Sequence, residues 1–424
     1  MAEISVVNFS HLIIVDRAMK ILMLSTTFPY PPSRGGTQVR TFNLLKYLAQ
    51  RHLITLVTQQ EPDVTDRDVE ALRSYVTELA VFPRRQTAGA VGGAWGKVSR
   101  FSKFLRQGTP PNVLYFYSPE MQAWVDAWVE KNHGAAITSE HSVNEIYIRP
   151  QWQQKLKTVV NIHSSVYGTC KQHLDSNTSE KPTRDRLQLP LLRQYEQRYC
   201  SKFSEIVVTT DEDCRQLQDL SPQGRFSVIP NGVELEEFSY RHGDPGGHKL
   251  IFTGAMDNLP NIDAVRFLSL EVLPLVQTRY PDATLTLVGA RPVPQVQELN
   301  QLPGVTVTGA VPSVAEYLQA STVCVVPMRS GYGIKNKTLE AMAAGVPVVA
   351  SDRGLEGLAV DGDNVPLRAL RANRVPEYVE AISRLFEDRR LRQSLSRQAR
   401  TLIETEYTWE TAGFRYEQVL SRSV

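Results

Sequence analysis

The chain has 424 residues, 42% hydrophobic and 22% charged, the balance of a folded globular protein rather than a disordered or fibrous one. A formal net charge of +2 gives no electrostatic footprint for nucleic acid. Cys170, Cys200, Cys214 and Cys324 stand far apart, which excludes a zinc ribbon or a disulfide framework and fits a reducing compartment. No apolar run approaches the roughly 20 residues of a bilayer span, so the expected location is cytoplasmic.

Residues 1–18 hold one apolar patch, His11-Leu12-Ile13-Ile14-Val15, without a basic leader or a small-residue cleavage site. They read as an N-terminal extension, with Met19 as a second candidate start. From Ile21-Leu22-Met23-Leu24 onward, short β-branched runs alternate with longer segments of mixed polarity. Leu53 to Val57, Val113 to Tyr117, Val159 to Ile162, Ile206 to Thr209 and Phe226 to Ile229 complete a first series. Apolar runs of this length suit strands covered on both faces, and the intervening segments suit helices, so the pattern predicts βαβ units and a parallel sheet. The polar, turn-rich stretch Tyr240 to His248 interrupts the series and predicts an interdomain linker at 243–248. Leu250 to Thr253, Ala283 to Val288, Val305 to Val307, Val323 to Val326 and Val346 to Val349 form a second series. Pro376 to Glu406 is helical in pattern, and Thr408 predicts the N-cap of a last helix running to about Leu420. The fold class is α/β: two Rossmann-like, doubly wound domains, 19–242 and 249–405, facing across a cleft, followed by a helical segment at 406–424.

The most informative stretch runs from Ser330 to Ser351: a Gly-rich loop, a helix, then a buried strand. Gly331 and Gly333 permit close approach of a ligand, and the helix start that follows favours an anion. Lys335 and Lys337 add positive charge there, and Glu340 can accept hydrogen bonds from hydroxyls. A diphosphate cradle beside a sugar-hydroxyl acceptor suits a nucleotide-sugar; an ordinary loop with solvated lysines is the alternative. Gly35 and Gly36 open a helix after the first strand, with neither the G-x-G-x-x-G spacing nor a Walker lysine, and point to a contact with a donor diphosphate or with an acceptor. His163 ends a buried strand, which places it in the cleft, where an imidazole can bind a sugar hydroxyl or stabilise charge. His141 is a second residue of that kind.

Ile229-Pro230-Asn231-Gly232-Val233 reads as a structural turn near the hinge, Asn-Gly tolerating positive φ. Gly254 permits close ligand approach, and Asn261 divides between ligand contact and helix capping. The triplets Asp211-Glu212-Asp213 and Asp361-Gly362-Asp363 read as a helix start and a turn, so no required metal is expected. Between Pro83 and Pro119 there are six Lys or Arg and no acidic residue, with Trp95, Val98, Phe101 and Leu105 at near-helical spacing. Residues 95–106 therefore suit either a basic amphipathic helix on anionic lipid or, slightly better, a helix packed on its own domain.

Together these residues resemble the retaining, GT-B-fold glycosyltransferases of family 4, and most of all the bacterial sugar transferases associated with exopolysaccharide synthesis. The resemblance spans nearly the whole chain from Met19. It rests on Gly35-Gly36, Ile162-His163, Ile229 to Val233, Phe252 to Asn261, Val307 to Val311 and the segment from Gly333 through Leu339-Glu340-Ala341-Met342 to Val349. It implies two domains of GT-B architecture, with the tail around Trp409 crossing back to the first. It implies a nucleotide diphosphate sugar, with UDP the expected base, as co-substrate and no cofactor or metal. The acceptor would be a glycan or a lipid-linked sugar, with possible peripheral membrane contact through residues 95–106 and no role for nucleic acid.

The catalytic set carried over is His163, Glu340 and Lys337. The donor-binding set is Gly35, Gly36, Gly254, Gly333, Ile334, Lys335, Asn336 and Leu339. Two departures stand out. The family's first glutamate falls on Tyr332, and its usual Arg and Lys after the first strand of domain two are replaced by Asp257 and Asn258. The missing glutamate motivates a rival expectation, a nucleotide-sugar-binding regulatory protein without catalysis. An epimerase on the same fold is a third.

Overall fold

The computed structural model describes residues 18–32, 35–84, 104–106, 108–175, 179, 181–331 and 333–422. Residues 1–17, and Trp95, Lys97, Arg100 and Lys103 of the basic segment, lie outside the described residues.

Two all-parallel sheets organise the chain. The first contains β1 (Lys20–Ser25), β2 (Leu53–Gln60), β3 (Glu78–Pro83), β4 (Ala136–Ser139), β5 (Lys157–Ile162), β6 (Glu205–Val208) and β7 (Phe226–Val228), in the order β3-β2-β1-β4-β5-β6-β7. The second contains β8 (Lys249–Thr253), β9 (Thr284–Val288), β10 (Val305–Gly309), β11 (Val323–Val326), β12 (Val348–Ala350) and β13 (Leu370–Arg371), in the order β10-β9-β8-β11-β12-β13. Strand β1 shows why the runs are continuously apolar. Leu22 and Leu24 enter the core on one face, Ile21 and Met23 the core on the other, because successive side chains alternate and helices cover both sides. Register is fixed on both flanks, Leu22 facing Thr55 on β2 and Ile137 on β4.

One predicted strand is corrected. Val113 to Tyr117 is not a strand; the structure has a short helix, Pro111–Tyr115, with only Val113 buried. Pro110 and Pro111 pre-set helical φ and lack the N–H groups that a ladder needs. The partner of β2 is instead Glu78–Pro83, a half-buried edge strand whose apolar run Leu79 to Phe82 the first series omits. Strand β13, two residues long, also went unread.

The region between the sheets is less open than a polar linker suggests. Buried Arg241 donates to Ser321 O at 3.0 Å, and Arg392 donates to Asp244 at 2.8 Å, stitching this stretch to the second domain. Thr408 caps the final helix, Trp409–Ser421, by accepting from Thr411 N. That helix returns to the first domain, where Trp409, Tyr416, Val419 and Leu420 join the core beneath the helix Gly36–Ala49. Gly232 is small for this reason and not for its φ. A Cβ there would lie 2.4 Å from the backbone nitrogen of Trp409.

Candidate active site

In each sheet the winding reverses once, between β1 and β4 and between β8 and β11, and ligands of such sheets bind beyond the carboxyl ends at that point. Gly35 and Gly36 follow β1, His141 follows β4, and His163 follows β5 next door. Gly254 follows β8, and the Gly-rich loop follows β11. The two switch points face one another. A Cβ on Gly333 would sit 3.1 Å from His163 O and 3.0 Å from Thr209 Oγ1, so the loop of the second domain touches the strand ends of the first.

The helix Asn336–Ala343 sets the centre of the site. Lys337 and Glu340 are three residues apart and share one face of it. Both are half-buried, with protein packed around their charged ends. Lys337 Nζ donates to Asn261 Oδ1 at 2.5 Å and lies 4.5 Å from the centroid of the Phe252 ring. Asn261 in turn donates to Ala255 O at 2.9 Å, so it serves Lys337 rather than capping the helix Leu259–Phe267, whose N-cap position is Asn258. Gly254, at φ 152°, completes this corner; a Cβ there would come 2.9 Å from both Lys337 Nζ and Asn261 Nδ2.

Desolvation pushes the Lys337 ammonium down to about 7, only partly opposed by the field of Glu340. Desolvation likewise pushes the Glu340 carboxyl up to about 7, with Lys337 opposing and Glu237 reinforcing. The site therefore sets a reluctant cation beside a reluctant anion, and a ligand that favours either charge gains by that. The N–H groups of Asn336 and Lys337 belong to the first turn, where no intrahelical acceptor exists.

Other loop residues face elsewhere. Lys335 Nζ donates to Gly331 O at 3.2 Å, to Gly333 O, and to Glu356 at 3.3 Å, so its charge is spent holding the loop together. Leu339 and Ile334 are buried in the core of the second domain, and Leu339 N bonds Lys335 O at 3.3 Å, which leaves Leu339 no surface for a ligand. Gly36 borders open space, and Gly35 adopts an extended φ of 176° at the helix start.

On the first domain, the rings of His163 and His141 lie 5.3 Å apart. His141 has φ 129° and accepts from Val143 N through Nδ1, which leaves the proton of the neutral ring on Nε2. Burial lowers His141 to about 4 and His163 well below its ordinary value, with His141 and Arg40 adding to the effect on His163. Both imidazoles are neutral near pH 7. His163 Nε2 is buried without a hydrogen-bond partner among the described residues. The acidic triplets behave as helix start and turn: Thr210 caps the helix Asp211–Leu220, and Asp361 pairs with Arg371. Among the described residues no cluster of three His, Cys, Asp or Glu is placed to hold a metal ion.

Sequence reasoning missed Arg40. It sits on the buried stripe of the helix Gly36–Ala49, with Leu44 and Leu48 at successive turns below it. A charge on an apolar helical stripe was the available signal.

Two wound parallel sheets, facing at their switch points with an anion-favouring helix on one side, define the class of GT-B glycosyltransferases. Residues 34–237 match the family model Glycosyltransferase Family 4, and residues 247–388 match Glycosyl transferases group 1. The chain carries these two glycosyltransferase domains in tandem. Over 386 residues it is 26% identical to a D-inositol 3-phosphate glycosyltransferase of Nocardiopsis dassonvillei, covering 85% of this chain and 84% of that one. HepE of Anabaena, solved in complex with UDP, superposes with a TM-score of 0.64 at 14% identity, covering 95% of this chain and 100% of that one. TarM of S. aureus gives 0.66 at 12% identity, covering 97% and 100%.

Proposed function

We propose that the protein transfers a sugar, with retention, from a UDP-sugar to a hydroxyl of a glycan or lipid-linked acceptor in polysaccharide or glycolipid synthesis. The observation that carries this reading is the placement of Lys337 and Glu340 one helical turn apart at the second switch point, across from His163. The diphosphate takes the first-turn N–H groups and Lys337, whose charge a dianion restores. Glu340 accepts from the ribose hydroxyls. His163 donates from its unpartnered Nε2 to the donor sugar. As the C1–O bond to the diphosphate breaks, Lys337 and the helix start stabilise the departing charge without a metal, while the acceptor hydroxyl attacks on the same face and passes its proton to the departing diphosphate oxygen. The UDP complexes of HepE and TarM support uridine as the base.

We place the acceptor side in residues 19–242 and the donor side in 249–405. We further propose a cytoplasmic location, with residues 95–106 either in peripheral contact with the membrane or packed on their own domain. No helix among the described residues is long and apolar enough to cross a membrane. Tyr332, where the family has its first glutamate, favours a second reading as a binding protein without turnover.

The test is a thermal-shift titration with UDP, GDP, ADP, TDP and their sugars, with and without EDTA. A ligand of the folded state must raise its apparent stability. A UDP-selective shift that survives EDTA and is lost in Lys337→Ala and Glu340→Ala supports the assignment; wild-type shifts in both variants overturn it. Release of UDP from UDP-glucose separates the transferase from the binding protein.

A further inference from the structure

Arg40 is fully buried, and its guanidinium meets two separate pieces of the chain. Nε donates to Asn161 Oδ1 at 3.0 Å on β5, Nη2 to Ile229 O at 2.9 Å, and Nη1 to Pro230 O at 3.2 Å and Asn231 Oδ1 at 2.9 Å. Its counter-charge arrives indirectly. Asn161 Nδ2 donates to Glu140 at 3.0 Å, and Glu140 also accepts from Tyr416 of the returning helix at 2.9 Å. With Asn231 Oδ1 taken by Arg40, the Asn231 amide nitrogen faces the second domain, where it donates to Asn336 Oδ1 at 2.8 Å. Asn336 is the first residue of the helix that carries Lys337 and Glu340. An unbroken line of hydrogen bonds thus runs from the middle of the first sheet, through the hinge, to the start of the donor helix.

We propose that Arg40 and Asn231 are positioning residues: they fix the hinge amide so that it holds Asn336, and thereby set how the donor helix stands against the first domain. Arg40 is fully buried and acts through these protein partners. A guanidinium is suited to this task because its planar fork can hold a side-chain amide and two adjacent carbonyls at once, and because burial cannot remove its charge near neutral pH. Desolvation lowers it only to about 10. The chemical polarity of the relay is fixed: Arg40 can only donate, so Asn231 must accept from it and donate onward. Relevance to diphosphate binding rests on the site proposed above, whereas the relay between domains does not.

The polarity makes the test specific. Spin labels at Glu130→Cys and Glu380→Cys, one exposed position on each domain, report the interdomain distance of the full chain by electron–electron resonance, with Cys170→Ser and Cys214→Ser as background. Wild type is expected to give one narrow distance without nucleotide. Asn231→Asp keeps its bond to Arg40 but has no proton to give; combined with Asn336→Asp, which removes the amide that could turn and donate in its place, it should raise the open population roughly fivefold, as expected for one lost hydrogen bond. Asn336→Asp alone keeps the acceptor and should retain the narrow distance, whereas Asn336→Leu should broaden it as the paired variant does. Arg40→Lys, which keeps the charge without the fork, should broaden it too. Identical distances in Asn231→Asp/Asn336→Asp and wild type overturn the proposal, as does broadening in Asn336→Asp equal to that in Asn336→Leu. UDP titration of the wild type by calorimetry is read separately: no binding sinks the donor site and leaves the relay standing.

Discussion

Lys337 gives the proposed site a pH signature that can be worked from the structure. Its ammonium rests at about 7, because desolvation outweighs the field of Glu340 and its oxygen partner is the neutral Asn261 amide. A diphosphate supplies the missing counter-charge and returns the group towards its ordinary value of 10.5. Above about pH 7, binding must therefore take up a proton, and affinity falls as the free site loses it. With a complex that stays protonated, the loss between about pH 7 and about pH 8.5 is roughly 15-fold, and proton uptake approaches about one per ligand. Glu340 gives the opposite limb. Its carboxyl sits at about 7, hydroxyl donors favour its charged form, and affinity rises towards pH 7 from below. The affinity profile is a bell centred near neutrality.

For stability of the empty protein the signs follow from the same shifts. Lys337 lies below its ordinary value, so between about 7 and 10.5 the unfolded chain holds the extra proton and this group favours folding more as pH rises. Glu340 lies above its ordinary 4.5, so its contribution is largest in acid and is lost as pH rises through about 7. The assay is calorimetry with UDP-glucose in buffers of different ionisation enthalpy, on wild type and Lys337→Met. The variant should bind more weakly and lose the alkaline limb. An alkaline limb that persists in Lys337→Met, or zero proton uptake in wild type above about pH 8, refutes the reasoning.

Glu340→Ala should weaken UDP roughly 10- to 100-fold, the range of a hydrogen bond to a charged group, and erase any preference for UDP over its 2′-deoxy analogue; an intact preference removes Glu340 from the ribose. Gly254→Ala forces a Cβ to 2.9 Å from Lys337 Nζ at φ 152° and should cost about 1–3 kcal/mol in chemical denaturation while lowering UDP affinity. Gly413→Ala drives a Cβ to 2.2 Å from the Tyr47 ring, and a cost of about 2–4 kcal/mol is expected from displacing the returning helix; an unchanged melting temperature would mean that helix is not docked there. Lys97→Glu/Arg100→Glu/Lys103→Glu should reduce cosedimentation with anionic vesicles, and unchanged binding removes those residues from any membrane contact.

Both sheets were largely legible because parallel strands covered on two faces need uninterrupted apolar runs. Ile21 to Leu24, Val159 to Ile162 and Val323 to Val326 could hardly be anything else. The failures share a cause. Val113 to Tyr117 has the composition of a strand, yet the two prolines ahead of it decide its conformation. Glu78–Pro83 carries the apolar run Leu79 to Phe82, yet at the sheet edge none of these residues is fully buried. Composition reports burial; it does not report which backbone donors are available.

The site was legible in its backbone and less so in its side chains. A Gly-rich loop leading to a helix start has a recognisable local pattern, so Gly333, Lys337 and Glu340 could be picked out together. What each lysine does was not local. Lys335 and Lys337 are two residues apart and look equivalent in the sequence, but one turns back onto carbonyls of its own loop while the other meets Asn261 from a different strand–helix unit. Arg40 makes the same point more strongly. Its partners lie 121, 189, 190 and 191 residues away, and no window of sequence contains them. Charged residues that select a conformation find their partners across the fold. A sequence can therefore show that a charge sits on an apolar stripe, as Arg40 does, before it can show what that charge holds. The buried arginine and the half-buried lysine are also resolved by opposite physics. Arg40 keeps its proton because its fixed fork makes four hydrogen bonds to oxygen acceptors, and Lys337 gives up much of its hold on one because desolvation is met by one amide oxygen, a thioether sulfur and an aromatic face beside the field of Glu340.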